Sequence, residues 1–194
     1  MKIPFSYETF FACILAVLAV YHCCRREYKI AGSAASVLVL SFLPDGLNII
    51  FHINVDAFSR FIYLVILFMA LYLGSSLRFY DKYKWWDRSI HFLTGVGFVG
   101  FGTAIAGLSP GITRFVLLFF GFTFSVTLHV IWELLEYLSD CILHSNAQRW
   151  QMIHDSNNHQ SEQAVQPAGL VDTMNDLICC LVGAALMIAF CWLI

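Results

Sequence analysis

Six long apolar stretches constrain the fold of this chain more than any other feature of its sequence. They cover residues 4–22, 30–51, 58–77, 86–108, 112–138 and 170–194. A transmembrane α-helix needs about 20 residues that are mostly apolar, and each stretch is long enough to provide one. We therefore predict an all-α fold, a polytopic membrane protein built as a bundle of six transmembrane helices.

The composition of the chain supports a membrane environment. Apolar residues make up 59% of the 194 residues and charged residues 12%, whereas soluble domains carry about 45–50% and about 25%. A soluble fold of this size could not bury so much apolar surface. Little sequence remains outside the stretches except one long polar connection, so we predict a single integral membrane domain over residues 1–194.

The charge pattern bears on partners and on orientation. The formal net charge is -2 and there is no basic arm, so nucleic acid is excluded as an expected partner. Membrane lipids are the expected partners, and a homo-oligomer or a membrane partner protein remains open. Eight Lys and Arg residues fall in the odd-numbered connections and three on the opposite side. The positive-inside rule then places the odd-numbered connections in the cytoplasm and both termini outside.

Glycine and proline make two predictions about the helices. The fourth stretch contains five glycines, which favour close packing against neighbouring helices: Gly95, Gly97, Gly100, Gly102 and Gly107. The second stretch contains Pro44, Asp45 and Gly46, which predict a break in that helix.

Ionisable residues recur at helical spacing in three of the apolar stretches. They are Asp87, His91, His129, Glu133, Glu136, Asp172 and Asp176. Residues three or four apart share one face of a helix, so each stretch carries a polar stripe. Ionisable groups are costly in lipid unless they pair, bind metal or meet water. With the predicted topology, the three stripes lie near the cytoplasmic face, and we expect them to face one another.

Carboxylates in a small volume cannot all remain charged without help. Two like charges about 4 Å apart repel by about 4 kcal/mol at an effective dielectric constant near 20. Either some carboxylates hold protons or a cation neutralises them. Carboxylates with imidazole suit Mg²⁺, Mn²⁺, iron or Zn²⁺. The predicted metal ligands are Asp87, His91, Glu133, Asp172 and Asp176, and the predicted general bases are Glu136 and His129. The alternative for the helix-rim acids is that they only mark the water boundary or cap a helix.

The long polar connection, residues 139–169, is expected to lie over the cytoplasmic mouth of this site, as a lid. It carries two further candidate site residues, Asn146 and Gln148.

Several motifs resemble those of the YjdF-like bacterial inner-membrane proteins. They are Leu-Gly at 73–74, Phe-Tyr at 79–80, Trp-Trp-Asp at 85–87, His-Phe at 91–92 with Gly95, the segment 133–140 with Asn146 and Gln148, and Gly-Leu-Val-Asp-Thr-Met-Asn-Asp-Leu at 169–177 with Gly-Ala at 183–184. The resemblance covers the chain from residue 73 to its end and includes the acids discussed above. It implies a small polytopic protein of the bacterial cytoplasmic (inner) membrane, distantly similar to VanZ-like proteins, and it implies no particular activity.

Three functions are compatible with an acidic and histidine-containing site inside a membrane protein. The first is a metal-dependent enzyme that acts on a lipid phosphate or headgroup, in which the cation polarises the phosphoryl group or activates water. The second is a transporter or permease for a small solute or an ion, with acids that relay protons or bind cations. The third is an accessory membrane subunit. The sequence leaves open whether the protein is an enzyme.

Overall fold

A computed structural model describes residues 7–144, 147–148 and 167–194, and every regular element in these residues is helical. The elements in chain order are α1 (Tyr7–Cys24), α2 (Tyr28–Ser41), α3 (Leu43–Phe51), α4 (Ala57–Leu67), a π-helical segment that continues α4 (Phe68–Ser76), α5 (Phe79–Lys82), α6 (Trp86–Ala106), α7 (Arg114–Leu143) and α8 (Ala168–Leu193).

The helices form six spans long and apolar enough to cross a membrane. Four are single helices, α1, α6, α7 and α8, and two are composite: α2 with α3 (Tyr28–Phe51) and α4 with its π-helical continuation (Ala57–Ser76). The mean hydropathy of their most apolar windows lies between 1.5 and 2.3. The prediction of an all-α membrane protein with six transmembrane helices is confirmed.

Two helix boundaries differ from the prediction in ways that matter for the site. The helix of the second span is interrupted at Phe42, and Pro44 stands in the first turn of α3, where its missing N–H costs no helical hydrogen bond. The fifth span extends to Leu143 rather than ending at residue 138. The added residues of α7 bring Asp140 into the helix.

α6 is the central helix of the bundle. It packs against α4, α7 and α8, and half of its span is buried inside the protein, against 11% for α1. α6 and α8 approach so closely that a Cβ on Gly95 would collide with the carbonyl oxygen of Cys180. A Cβ on Gly183 would collide in the same way with the carbonyl oxygen of Phe92. This contact brings the polar stripes of α6 and α8 together.

At one end of the bundle, a buried histidine forms hydrogen bonds that connect separate elements. His22, near the end of α1, bonds to Glu27 Oε2 through Nδ1 at 2.6 Å and to the Tyr72 hydroxyl through Nε2 at 2.9 Å. The hydrogen bond from His22 holds the pKa of the Glu27 carboxyl below its usual range, and the contact with Arg25 acts in the same direction. These bonds connect α1 and the first connection to the π-helical segment.

The opposite end contains an ion-pair cluster centred on Arg60, near the start of α4. Its guanidinium donates to Glu8 Oε1 at 2.6 Å and to Asp45 Oδ1 at 2.5 Å. The side chain of Arg60 is 15% exposed. Asp45 therefore stabilises the junction of α1, α3 and α4 and lies at the other end of the bundle from Asp87.

Candidate functional site

Three helices bring the predicted polar stripes into contact. His91 Nε2 on α6 lies 3.3 Å from Asp87 Oδ1, one turn earlier on the same helix, and 3.9 Å from Asp176 Oδ2 on α8. His91 Nδ1 lies 3.4 Å from His129 Nδ1 on α7. His129 Nε2 lies 3.5 Å from Glu133 Oε1. We call these five residues the His–carboxylate cluster.

The cluster is withdrawn from solvent. The exposed fractions of His91, His129, Glu133 and Asp176 are 4%, 4%, 5% and 2%. Four of its polar atoms, His129 Nε2, both carboxylate oxygens of Glu133 and Asp176 Oδ1, are buried without a hydrogen-bond partner. Buried polar groups are nearly always hydrogen-bonded, and leaving one unpaired costs about 1–3 kcal/mol, more for a charged group.

The contact between the two imidazoles explains why the hydrogen bonds of the cluster cannot all be satisfied. A neutral imidazole has one N–H donor and one acceptor nitrogen. If His91 Nδ1 donates to His129, the His91 lone pair lies on Nε2 and faces the carboxylates of Asp87 and Asp176. If His129 Nδ1 donates instead, the His129 lone pair lies on Nε2 and faces Glu133. In either of these cases one acceptor nitrogen faces a carboxylate oxygen, and if both imidazoles carry the proton on Nε2, the two Nδ1 lone pairs face each other. An added proton or a cation removes the repulsion in each case.

On each side of the His91–His129 contact lies a group of residues that could hold a metal ion. One comprises His91, His129 and Glu133, and the other comprises Asp87, His91 and Asp176; within each, one ligand atom per residue lies within 4.8 Å of the others. His91 belongs to both groups. Because a neutral imidazole offers one lone pair, the two groups are alternative shells for a single ion rather than two independent sites.

The other predicted site residues lie around the cluster. Glu136 is half-buried and accepts a hydrogen bond from Trp132 Nε1 at 2.7 Å. Asp172 is half-buried one turn before Asp176 on α8 and belongs to neither of the two groups. Gln148 donates through Nε2 to the Thr173 hydroxyl at 2.9 Å. Asn146 lies outside the described residues.

Asp140 is not among the predicted site residues, although the structure gives it a clear role near the site. Its carboxylate is buried and accepts the backbone N–H groups of Ala147 at 2.7 Å and Gln148 at 3.0 Å. This contact fixes the turn that carries Gln148 against α7 and α8. The signal was available in the sequence, because Asp140 continues the stripe of His129, Glu133 and Glu136 by one more turn.

A cavity of about 250 Å³ adjoins the cluster between α2, α4 with its π-helical continuation, α6 and α7. Four of the predicted site residues line it, Asp87, His91, His129 and Glu136, and most of the other lining residues are apolar. Glu133 and Asp176 are not among the lining residues. The cavity therefore meets one side of the His–carboxylate cluster.

The fold and the cluster define a class: a six-helix membrane protein with a buried cluster of histidines and carboxylates contributed by three helices. The model of the family described as "Predicted membrane protein (DUF2238)" matches residues 7–194, and the chain belongs to this family. No curated protein and no solved structure matches the chain.

Proposed function

We propose that this protein is a metal-dependent membrane enzyme that acts on a lipid phosphate or headgroup, and that the His–carboxylate cluster holds the ion. The observation that carries the proposal is the pair of imidazoles, which leaves a lone pair against a carboxylate or against the other imidazole in every neutral tautomer. A cation bound in one of the two shells relieves this repulsion and satisfies the partnerless buried atoms of that shell. If these positions served only to fill the protein interior, apolar side chains would avoid the cost of burying polar and charged groups.

The ligand set narrows the choice of ion. Imidazole suits zinc and iron, and carboxylate suits magnesium and manganese. Mg²⁺ dehydrates reluctantly and is usually held by one or two carboxylates with several waters. A buried set with two imidazoles therefore favours Mn²⁺, Fe²⁺ or Zn²⁺ over Mg²⁺. The carboxylates of Asp87, Glu133 and Asp176 supply the negative charge, and Asp172 extends the acidic stripe of α8.

The residues beside the cavity have the chemistry for hydrolysis of a phosphate ester. A bound ion supplies Lewis acidity toward phosphoryl oxygens and lowers the pKa of water. Glu136 lines the cavity, is oriented by the Trp132 N–H, and accepts a proton from the attacking water. The water oxygen forms a bond to phosphorus as the ester P–O bond breaks, and the leaving alkoxide takes up the proton held by Glu136 to become the alcohol. Hydrolysis thus consumes one water and needs no other reactant.

The proposal includes a location and an orientation. The motifs that resemble YjdF-like proteins favour a bacterial inner membrane, and the distribution of Lys and Arg favours both termini outside. In this orientation, the cluster lies near the cytoplasmic ends of α6, α7 and α8. The reacting group would then come from the cytoplasmic leaflet.

The test begins with metal content. We expect purified protein to retain about one equivalent of Mn²⁺, Fe²⁺ or Zn²⁺ by elemental mass spectrometry. The variant that removes a carboxylate from the occupied shell, Asp176→Asn or Glu133→Gln, should bind the ion at least about tenfold more weakly. Asp45→Asn is the matched control, because it removes a carboxylate from the opposite end of the bundle. Metal-loaded wild type should release phosphate from lipid phosphate esters, and Glu136→Gln should retain the ion while losing this activity.

Two results would overturn the proposal. If wild type binds none of these ions, or if the two ligand variants bind as wild type does, then the cluster is not a metal site. If the ion binds but moves across proteoliposome membranes without hydrolysis of any ester, then the cluster serves transport.

A further inference from the structure

We propose that the cavity beside the His–carboxylate cluster holds a single hydrocarbon chain of a membrane-embedded phosphate ester, with the phosphate at the metal. This inference rests on the proposed function and adds the class of substrate. It commits to one occupant, an amphiphile with an anionic phosphate head and one chain inserted between the helices.

The first argument is the distribution of polarity along α6. The residues of α6 that line the cavity are Asp87, Ile90, His91, Thr94 and Phe98, which form one continuous stripe. The charged residues stand at its beginning and Phe98 at its end. From Asp87 to Phe98 the helix rises about 16 Å, which is close to half of the hydrocarbon core of about 30 Å. The cavity thus has a polar mouth and an apolar interior that spans about one leaflet.

The second argument is the size of the cavity. Its volume of about 250 Å³ lies below the range of about 300–1,000 Å³ typical of sites that enclose a drug-sized ligand. A narrow cavity extended over one leaflet fits one chain and excludes a second. A two-chain lipid would have to leave one chain in the bilayer.

The third argument concerns the wall opposite α6. Ala70 and Leu71 line the cavity and belong to the π-helical segment, which departs from regular α-helix at the depth of the cavity. Such π-helical stretches occur frequently at functional sites. The small side chain of Ala70 leaves the space open, and Leu40 of α2 contributes to the wall.

The fourth argument is electrostatic. Glu136 lines the polar end of the cavity, and its carboxylate would repel an anionic phosphate unless a cation lies between them. Phosphate binding and metal binding should therefore support each other, and the chain should enter the cavity in the correct register only when the ion is present.

The experiment uses full-length protein in lipid nanodiscs. The probe is a decylphosphonate that carries a diazirine near the end of its chain, added with and without Mn²⁺. A phosphonate is used because its C–P bond resists the hydrolysis proposed for phosphate esters. After irradiation, mass spectrometry of peptides locates the attached probe. We expect Mn²⁺-dependent labelling in the peptides that contain Phe98 and Leu40, where the stripe on α6 ends.

Variants test whether the cavity itself is responsible. Ala70→Phe places a ring in the cavity and should reduce labelling by about tenfold or more, the change expected from the loss of two buried methylene groups. Ala189→Phe is the matched control, because Ala189 lines a separate apolar recess between α7 and α8, and it should label as wild type does. Leu40→Trp should reduce labelling by the decyl probe and leave labelling by a hexyl probe unchanged. The larger side chain narrows only the end of the cavity near Phe98, which a hexyl chain does not reach.

The outcomes separate this inference from the proposed function. If Ala70→Phe binds Mn²⁺ normally and is labelled as strongly as wild type, the cavity does not hold the chain, although the metal site stands. If labelling is the same without Mn²⁺, or in the variant that has lost the ion (Asp176→Asn or Glu133→Gln), the phosphate is not anchored by the ion and the inference fails. If wild type binds no ion, the proposed function fails first.

Discussion

At the scale of single residues, the contact between His91 and His129 makes a prediction about protons. Without an ion, the lone pair that faces a carboxylate is relieved by an extra proton on the imidazole or on the carboxylate. An ion that enters the cluster displaces this proton, as is usual for metal binding to protonated ligands. We expect Zn²⁺ or Mn²⁺ binding to release about one proton per ion.

Calorimetry in two buffers that differ in protonation enthalpy measures this release directly. The observed heat of binding should differ between the buffers in wild type and in the Asp45→Asn control. A heat that is identical in both buffers would show that the cluster contains no displaceable proton, and the argument from tautomers would then be wrong.

Asp140 makes a second prediction at this scale. Its carboxylate accepts the N–H groups of Ala147 and Gln148, and hydrogen bonds to charged groups contribute about 1.5–3 kcal/mol. Asp140→Asn retains one acceptor oxygen and introduces a donor that faces an N–H. Hydrogen exchange at the amides of Ala147 and Gln148 should accelerate by about tenfold or more.

The control for this variant is Asp81→Asn. Asp81 pairs with Arg78 on the surface, where both side chains are more than half exposed, and such pairs contribute little. Exchange at residues 147 and 148 should be unchanged in this control. Equal protection in Asp140→Asn and wild type would show that the turn is held by other contacts.

At the scale of elements, some features follow from local sequence and others depend on packing. The six spans are predictable because each carries enough apolar residues to cross the bilayer. The π-helical segment Phe68–Ser76 is not, because nothing in its composition distinguishes it from an α-helix and its conformation depends on neighbouring helices. The end of α7 is also missed, since an apolar pattern marks the bilayer boundary rather than the end of a helix.

The glycine prediction for the fourth stretch is confirmed for Gly95, where α6 meets α8. A methyl group at Gly95 or Gly183 would meet backbone atoms of the other helix, which cannot move aside as a flexible side chain can. Gly95→Ala and Gly183→Ala should therefore each destabilise the protein by about 1–3 kcal/mol. They should also weaken metal binding, because the helices that carry His91 and Asp176 are forced apart.

Gly32→Ala provides the matched control, since Gly32 lies within α2 and a Cβ added there would point into open space. Alanine is the better helix former by about 0.5–1 kcal/mol, so this variant should be neutral or slightly stabilised. Thermal unfolding in detergent and metal titration check both expectations. Wild-type behaviour of both Gly95→Ala and Gly183→Ala would show that the close approach of α6 and α8 is not required.

At the scale of the whole molecule, the sequence predicts which polar residues share a helix face in the candidate site. It predicts only part of how these residues contact one another across helices. Helical spacing alone places Asp87 with His91, and His129 with Glu133, on common faces. Spacing cannot reveal that the two histidines touch each other or that His91 lies between Asp87 and Asp176. These contacts arise because α6 packs against both α7 and α8, and the order of helices in a bundle is a property of the complete chain.

The orientation of the whole bundle is the last prediction, and it depends on charge at its two ends. The described residues at the end near the start of α6 include seven Lys and Arg residues, in two connections and in the first turns of α2 and α6: Arg25, Arg26, Lys29, Arg78, Lys82, Lys84 and Arg88. At the other end, the described residues include Arg60 and Arg114, and Arg60 is bound by two carboxylates. Because Lys and Arg are retained on the cytoplasmic side, the end with the His–carboxylate cluster should face the cytoplasm.

Single cysteines in an otherwise cysteine-free variant test this orientation in intact bacterial cells. Ser109→Cys lies in the connection between α6 and α7, and Lys82→Cys lies at the end of α5 before α6. A membrane-impermeant maleimide should label Ser109→Cys from outside, and Lys82→Cys only after the membrane is permeabilised. The reverse pattern would place the cluster at the outer face and require its substrate to come from the outer leaflet. The contacts within the cluster would be unchanged, since they depend on the helices and not on the side from which the lipid arrives.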